Sequence, residues 1–131
     1  MLYIYCDGAS KGNPGPSSIG VVAYSDQENQ EEVFTISKSI GVTTNNIAEW
    51  SSLISALEKA IEKNETKVSI FMDSELVVKQ VLGQYRVKNE KLIPLKNKFL
   101  TLKIKFPVFS IQHVYRDKNK RADELANLAL I

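Results

Sequence analysis

The chain is poor in the residues that build covalent or soft-metal chemistry. Of its 131 residues, one is cysteine and one is histidine, which excludes an internal disulfide framework and a zinc site built from cysteines. With Cys6 alone, a reducing, intracellular setting is expected. Long apolar runs are missing too. Met1-Leu-Tyr-Ile-Tyr-Cys-Asp7 passes straight into alternating residues, with no basic leader and no small-residue cleavage site. A soluble, cytoplasmic protein without membrane association is therefore expected. Nor does one sign of charge dominate: the formal net charge is +2, too small to name a partner by itself. What is present is 44% hydrophobic and 24% charged residues, a balance that suits one globular domain, residues 1–131, with a core of its own. No internal repeat, linker or low-complexity segment divides it. No obligatory protein partner is evident, and a monomer is expected.

Charge is uneven along the chain even though its sum is small. Between Gln84 and Lys105, Arg86, Lys88, Lys91, Lys96, Lys98, Lys103 and Lys105 face only one acid, Glu90. Two readings are open, a phosphate-binding face and a solvated amphipathic helix.

Hydrophobic periodicity orders the elements. Leu2 to Asp7 alternates as a strand, ending near Asp7 before the turn-rich Lys11-Gly-Asn-Pro-Gly-Pro16. Ile19 to Tyr24 and Glu32 to Ile40 read as two more strands joined by the polar tip Ser25 to Gln30, an antiparallel meander. From Ile47 the period changes. Ile47, Trp50, Leu53, Ile54, Leu57, Ala60 and Ile61 recur at three and four, predicting an amphipathic helix to about Lys63 with Glu49 in its first turn and Trp50 as packing material. Lys67 to Met72 predicts a strand, Leu76 to Val81 a helix, Lys91 to Ile104 a helix with Pro94 in its first turn, and Pro107 to Val114 a strand. A last helix begins near Asn119. This order implies an α/β fold, antiparallel at the start and continued by parallel crossover units.

Four acids fall at the ends of these elements, and each has an ordinary structural explanation. Asp7 stands where aspartate serves in turns. Asn46-Ile-Ala-Glu49 has the spacing of a capping box, Asp73 could cap the helix after it, and Asp123 could sit in a first turn favoured by the helix dipole. Their joint placement carries more weight. In α/β sheets the strand ends that feed crossover helices line a common crevice, and Asp7 and Asp73 occupy such ends. Four carboxylates brought together repel one another unless hard cations neutralise them, and oxygen ligands without cysteine or histidine suit Mg²⁺ or Mn²⁺.

Four segments, Asp7-Gly-Ala-Ser-Lys-Gly-Asn-Pro-Gly-Pro16, Thr43-Thr-Asn-Asn-Ile-Ala-Glu49, Asp73-Ser-Glu-Leu-Val-Val78 and Asn119-Lys-Arg-Ala-Asp-Glu-Leu-Ala126, together resemble ribonuclease H, type 1. The resemblance spans about residue 2 to residue 130. It implies a ribonuclease H-like fold, a five-stranded mixed sheet, three strands antiparallel and then parallel, flanked by helices. It further implies hydrolysis of the RNA strand of an RNA–DNA hybrid, leaving 5′-phosphate and 3′-hydroxyl ends. Asp7, Glu49, Asp73 and Asp123 match the family's four catalytic, metal-binding carboxylates. By the same resemblance Asp7 would bridge two metal ions, Glu49 and Asp73 would complete one site and Asp123 the other. Two cations about 3.5–4 Å apart suit an in-line displacement at phosphorus. Gly8, Ser10, Asn13, Asn45 and Glu49 match positions that read 2′-hydroxyl groups, which only RNA offers. Thr44 matches a position gripping a DNA-strand phosphate, and Arg86 and Lys88 resemble a shortened basic handle directed at the same strand. Asn13 also suits a turn, and Thr44 and Asn45 also suit a helix cap.

The chain departs from many bacterial members in two ways. Val114-Tyr-Arg-Asp-Lys-Asn119 is short and holds no histidine loop, while His113 falls within the last strand and reads as a sheet residue. The lysine- and tryptophan-rich extra helix is also absent between Val81 and Leu92. Two rival functions keep the same fold. One is a nucleic-acid-binding module with weak or no catalysis, which the intact four acids disfavour; the other is a DNA nuclease, which the short chain and the 2′-hydroxyl readers disfavour.

Overall fold

The computed structural model describes residues 1–29 and 31–130; Gln30, the last residue of the expected polar tip, lies outside them. The strands are β1 (Leu2–Ser10), β2 (Gly15–Tyr24), β3 (Glu32–Thr43), β4 (Lys67–Met72) and β5 (Val108–His113). The helices are α1 (Asn45–Glu62), α2 (Glu75–Val81), α3 (Ile93–Lys103) and α4 (Lys120–Leu128), with a 3₁₀ turn at Arg116–Lys118. The strands form one sheet in the order β3-β2-β1-β4-β5. β1 pairs antiparallel with β2 and β2 with β3, whereas β4 runs parallel to β1 and to β5. This is the five-stranded mixed sheet expected from the element order.

Three strands run further than their alternation suggested. β1 continues past Asp7 because its antiparallel ladder with β2 carries on to Ser10↔Ser17, and the Gly15↔Thr43 pair likewise prolongs β2 and β3. On its other side β1 stops pairing earlier: the parallel ladder with β4 ends at Cys6↔Met72. The sheet therefore splits one residue before Asp7 and Asp73. That split is the topological crevice where α/β folds bind ligands.

Alternation assigns the two faces of the sheet. Leu2, Ile4 and Cys6 of β1 and Val68, Ile70 and Met72 of β4 pack against Trp50, Leu53, Ile54 and Leu57 of α1 and Phe99 of α3. Each such side chain, fully buried, contributes roughly 1.5–3 kcal/mol relative to exposure. Trp50 is wholly buried, as expected of packing material; its indole Nε1 donates to Gln80 Oε1 at 3.0 Å and its ring meets Phe99 edge-on at 5.9 Å. On the opposite face α4 packs Leu125 against Val22 and Tyr24, with Tyr3 and Tyr5 alongside. Cys6 is a free, buried thiol. Among the described residues no helix is long and apolar enough to cross a membrane.

Candidate active site

Two close backbone approaches bring helices to the split in the sheet. A Cβ on Gly8 would lie 2.5 Å from Ala48 C and from Glu49 N, so β1 and α1 touch backbone to backbone there. The consequence is chemical. The Gly8 N–H donates to Glu49 Oε1, which turns the buried carboxylate toward Asp7. On the other face, a Cβ on Gly20 would lie 2.1 Å from Ala122 O and 2.4 Å from Ala126 N. Gly20 is the residue paired with Asp7 across the β1–β2 ladder, so α4, and Asp123 with it, seats directly behind Asp7. Hydroxyls fasten α4 in place: Ser18 Oγ donates to Ala126 O, and Ser37 Oγ donates to Leu125 O at 2.6 Å.

The result is a cleft of about 530 Å³ lined by Asp7, Glu49, Asp73 and Asp123 together with Gly8, Ser10, Asn45 and Arg116. Carboxylate oxygens of Asp7, Glu49 and Asp73 lie within 4.8 Å of one another. Asp123 stands outside that tight trio on the cleft wall, and its Oδ1 is 4.0 Å from Arg116 Nη2. Crowding is visible in the proton affinities. Burial, then the charges of Glu49 and Asp73, pushes the Asp7 carboxyl up to about 10. Burial raises Glu49 to about 7 against the opposing pull of the Gly8 N–H. Asp73 is raised by burial, and the Asn119 amide and the Arg116 charge hold it back. An all-oxygen donor set that resists ionisation for want of positive charge is chemically suited to a hard divalent cation.

Several structural alternatives for these acids are corrected by the geometry. Asp7 is not a turn residue, since it lies inside β1. Glu49 does not complete a capping box. Helix α1 begins at Asn45, two residues before its first periodic apolar position, because the Thr44 side chain caps it by accepting from Ile47 N at 3.3 Å. Glu49 is thus in the second turn, free to face the cleft. Asp73 does not cap α2 either; the adjacent Ser74 does, accepting from Val77 N at 3.4 Å. Only Asp123 keeps its expected place, in the first turn of α4.

The expected substrate-binding residues divide into two groups. Gly8, Ser10 and Asn45 line the cleft, and Asn13 supports Asn45 by accepting its backbone N–H at 3.0 Å. Thr44 serves as the helix cap, a role that Asn45 does not take. Arg86 and Lys88 lie exposed on the irregular segment between α2 and α3, outside the cleft lining. His113 ends β5, half-buried and edge-on to Tyr115 at 5.5 Å. Four residues of the site carried no earlier assignment: Gly20, Ser74, Arg116 and Asn119. A glycine within an apolar strand signals close backbone approach, so Gly20 was open to detection. Arg116 had no such signal.

The family described as "Reverse transcriptase-like" matches residues 5–129. The chain is 40% identical to a putative hydrolase, EbsB, of Enterococcus faecalis, over 99% of this chain and 94% of that protein. It is 32% identical to ribonuclease HI of Helicobacter pylori, over 97% and 91% respectively. Mycobacterial relatives, among them a bifunctional protein of Mycobacterium tuberculosis, are 38% identical, and the chain spans 35% of their length. Among solved structures, LC11-RNase H1 in complex with an RNA/DNA hybrid superposes with a TM-score of 0.92 at 40% identity, covering 99% of this chain and 96% of that one. The N-terminal RNase H domain of a Mycobacterium tuberculosis protein gives 0.94 at 35% identity, covering 99% and 98%. Fold, acidic cleft and sequence agree, and the chain belongs to the ribonuclease H family, type 1.

Proposed function

We propose that this chain is an endoribonuclease that hydrolyses the RNA strand of RNA–DNA hybrids, leaving 5′-phosphate and 3′-hydroxyl ends. One observation carries the reading: carboxylate oxygens of Asp7, Glu49 and Asp73 converge within 4.8 Å at the split of the sheet, with Asp123 beside them. These four acids would hold two divalent cations, Mg²⁺ or Mn²⁺. When bound, such a pair activates water as nucleophile and stabilises charge on the leaving 3′ oxygen. The substrate class is supported by the hybrid held in the LC11-RNase H1 structure.

The chain's own residues supply position and selectivity. Gly8 fixes Glu49 through its N–H, and the Gly8, Ser10 and Asn45 wall, braced by Asn13, offers polar groups to the 2′-hydroxyls that distinguish RNA from DNA. Thr44, Arg86 and Lys88 would contact phosphates of the DNA strand. Such contacts orient the duplex without reading its sequence. The test is incubation of end-labelled duplexes containing no ribonucleotide, one, four, or a full RNA strand, with Mg²⁺ or Mn²⁺. Cuts confined to the RNA strand are expected. Intact hybrid with each metal would favour a binding module, and cutting of all-DNA duplex would favour a DNA nuclease.

A further inference from the structure

Asn119 is 1% exposed and touches the backbone or side chain of three of the four acids or their immediate neighbours. Its Nδ2 donates to Cys6 O at 2.9 Å, the carbonyl just before Asp7. The same amide stabilises the Asp73 carboxylate. Its backbone carbonyl accepts the Asp123 N–H at 3.1 Å. Because Cys6 O can only accept, the amide orientation is fixed and the Oδ1 atom must point away from the acids. Among the described residues that buried oxygen has no donor, and the Oδ1 of Asn29 in the β2–β3 connection is buried and without a donor as well. Both asparagines line one small, partly open pocket of about 30 Å³ with Tyr5, Tyr24, Lys118, Arg121 and Ala122. A water requires about 10–15 Å³ and two or more polar partners, so the space admits water and excludes an organic ligand. Each of the two unserved oxygens belongs to a side chain of a residue that lines this space.

We infer that Asn119 is a positioning residue for the acidic site and that the cavity behind it binds an ordered water whose two protons serve the carbonyl oxygens of Asn119 and Asn29. Asn29 donates through Nδ2 to Tyr5 Oη at 3.0 Å, so the β2–β3 connection is tied to the strand that carries Asp7 by this bond and to Asn119 by the water. The positioning part rests on the metal-dependent nuclease reading; the water part does not. Outer-shell partners of this kind typically govern metal affinity by about 10–100-fold.

Two measurements on the full chain test it. A crystal structure at a resolution that orders waters should show a peak about 2.6–3.2 Å from both Oδ1 atoms; a dry cavity, or an Asn119 amide turned to face Cys6 with its oxygen, would overturn the water. Calorimetric titration with Mn²⁺ alone should show about tenfold weaker binding for Asn119→Ala, with lower kcat and unchanged KM for hybrid. Asn29→Ala should shift Mn²⁺ affinity less, in the same direction, and decides the matter if Asn119→Ala does not fold. Unaltered Mn²⁺ affinity in a folded variant would overturn the positioning role. Lack of Mn²⁺ binding by the unaltered chain would instead sink the nuclease reading, leaving the crystallographic result to decide the water.

Discussion

At the scale of the residue, the site is a set of carboxyl groups held where they resist ionisation. The sign of the resulting pH dependence follows from Asp7, whose folded value of about 10 lies above its ordinary 3.8. The folded chain binds the proton more tightly than the unfolded chain, so this group's contribution to stability is complete below about pH 4 and is lost as pH rises toward 10. Metal-free protein should therefore melt at lower temperature at pH 8 than at pH 6, and Mg²⁺ should raise Tm more at the higher pH; scanning calorimetry with and without metal checks both. Asp7→Asn removes the repulsion. It should raise the metal-free Tm at pH 8 while lowering cleavage by more than about 100-fold, beyond what loss of an outer-shell partner does. Retained full activity would contradict the assignment. Arg116 is the cation nearest Asp123, at 4.0 Å on a side chain that is 84% exposed. Arg116→Ala should leave Tm unchanged and weaken hybrid cleavage, read as kcat/KM.

At the scale of the element, function depends on how closely two helices reach the sheet. Gly20→Ala places a methyl 2.1 Å from Ala122 O, with no flexible side chain to move aside. Overpacking of this kind costs typically about 1–3 kcal/mol, and here it also lifts Asp123 from behind Asp7. Loss of both stability and cleavage is expected, measured by denaturant unfolding and by single-turnover rate; an unchanged rate would mean that α4 seating does not set the site. Elements were legible where periodicity was strong, as in α1, and where a parallel strand stopped at an acid, as β4 does before Asp73. Their ends were less so. Alternation does not reveal that β1 keeps pairing past Asp7, since ladder length depends on β2, a partner remote in sequence. Competing caps misled in the same manner: Thr44, Asn45 and Asn46 all suit an N-cap, and only the packing of α1 on Gly8 selects Thr44.

At the scale of the whole molecule, the four acids were readable as a group because strand order and crevice position follow from topology, while their grouping into a tight trio plus Asp123 depends on helix seating that no spacing encodes. The same holds for Asn119, which resembles a simple helix-start residue until the fold places it beside Cys6 and Asp73. The basic stretch from Arg86 to Lys105 resolves into mixed roles. Lys98 pairs with Glu58 at 3.2 Å and Lys103 lies 5.5 Å from the centre of the Phe109 ring, whereas Arg86 and Lys88 stand exposed on the segment before α3. The double variant Arg86→Ala/Lys88→Ala should raise KM for hybrid, leave kcat unchanged and flatten the salt dependence by up to about two phosphate contacts. The most direct measurement of all is cleavage of a labelled RNA–DNA hybrid by the unaltered chain with Mg²⁺ or Mn²⁺. Internal cuts in the RNA strand alone, with 5′-phosphate on the products and none without metal, are predicted; an intact RNA strand with each metal, or cutting of an all-DNA duplex, would contradict it.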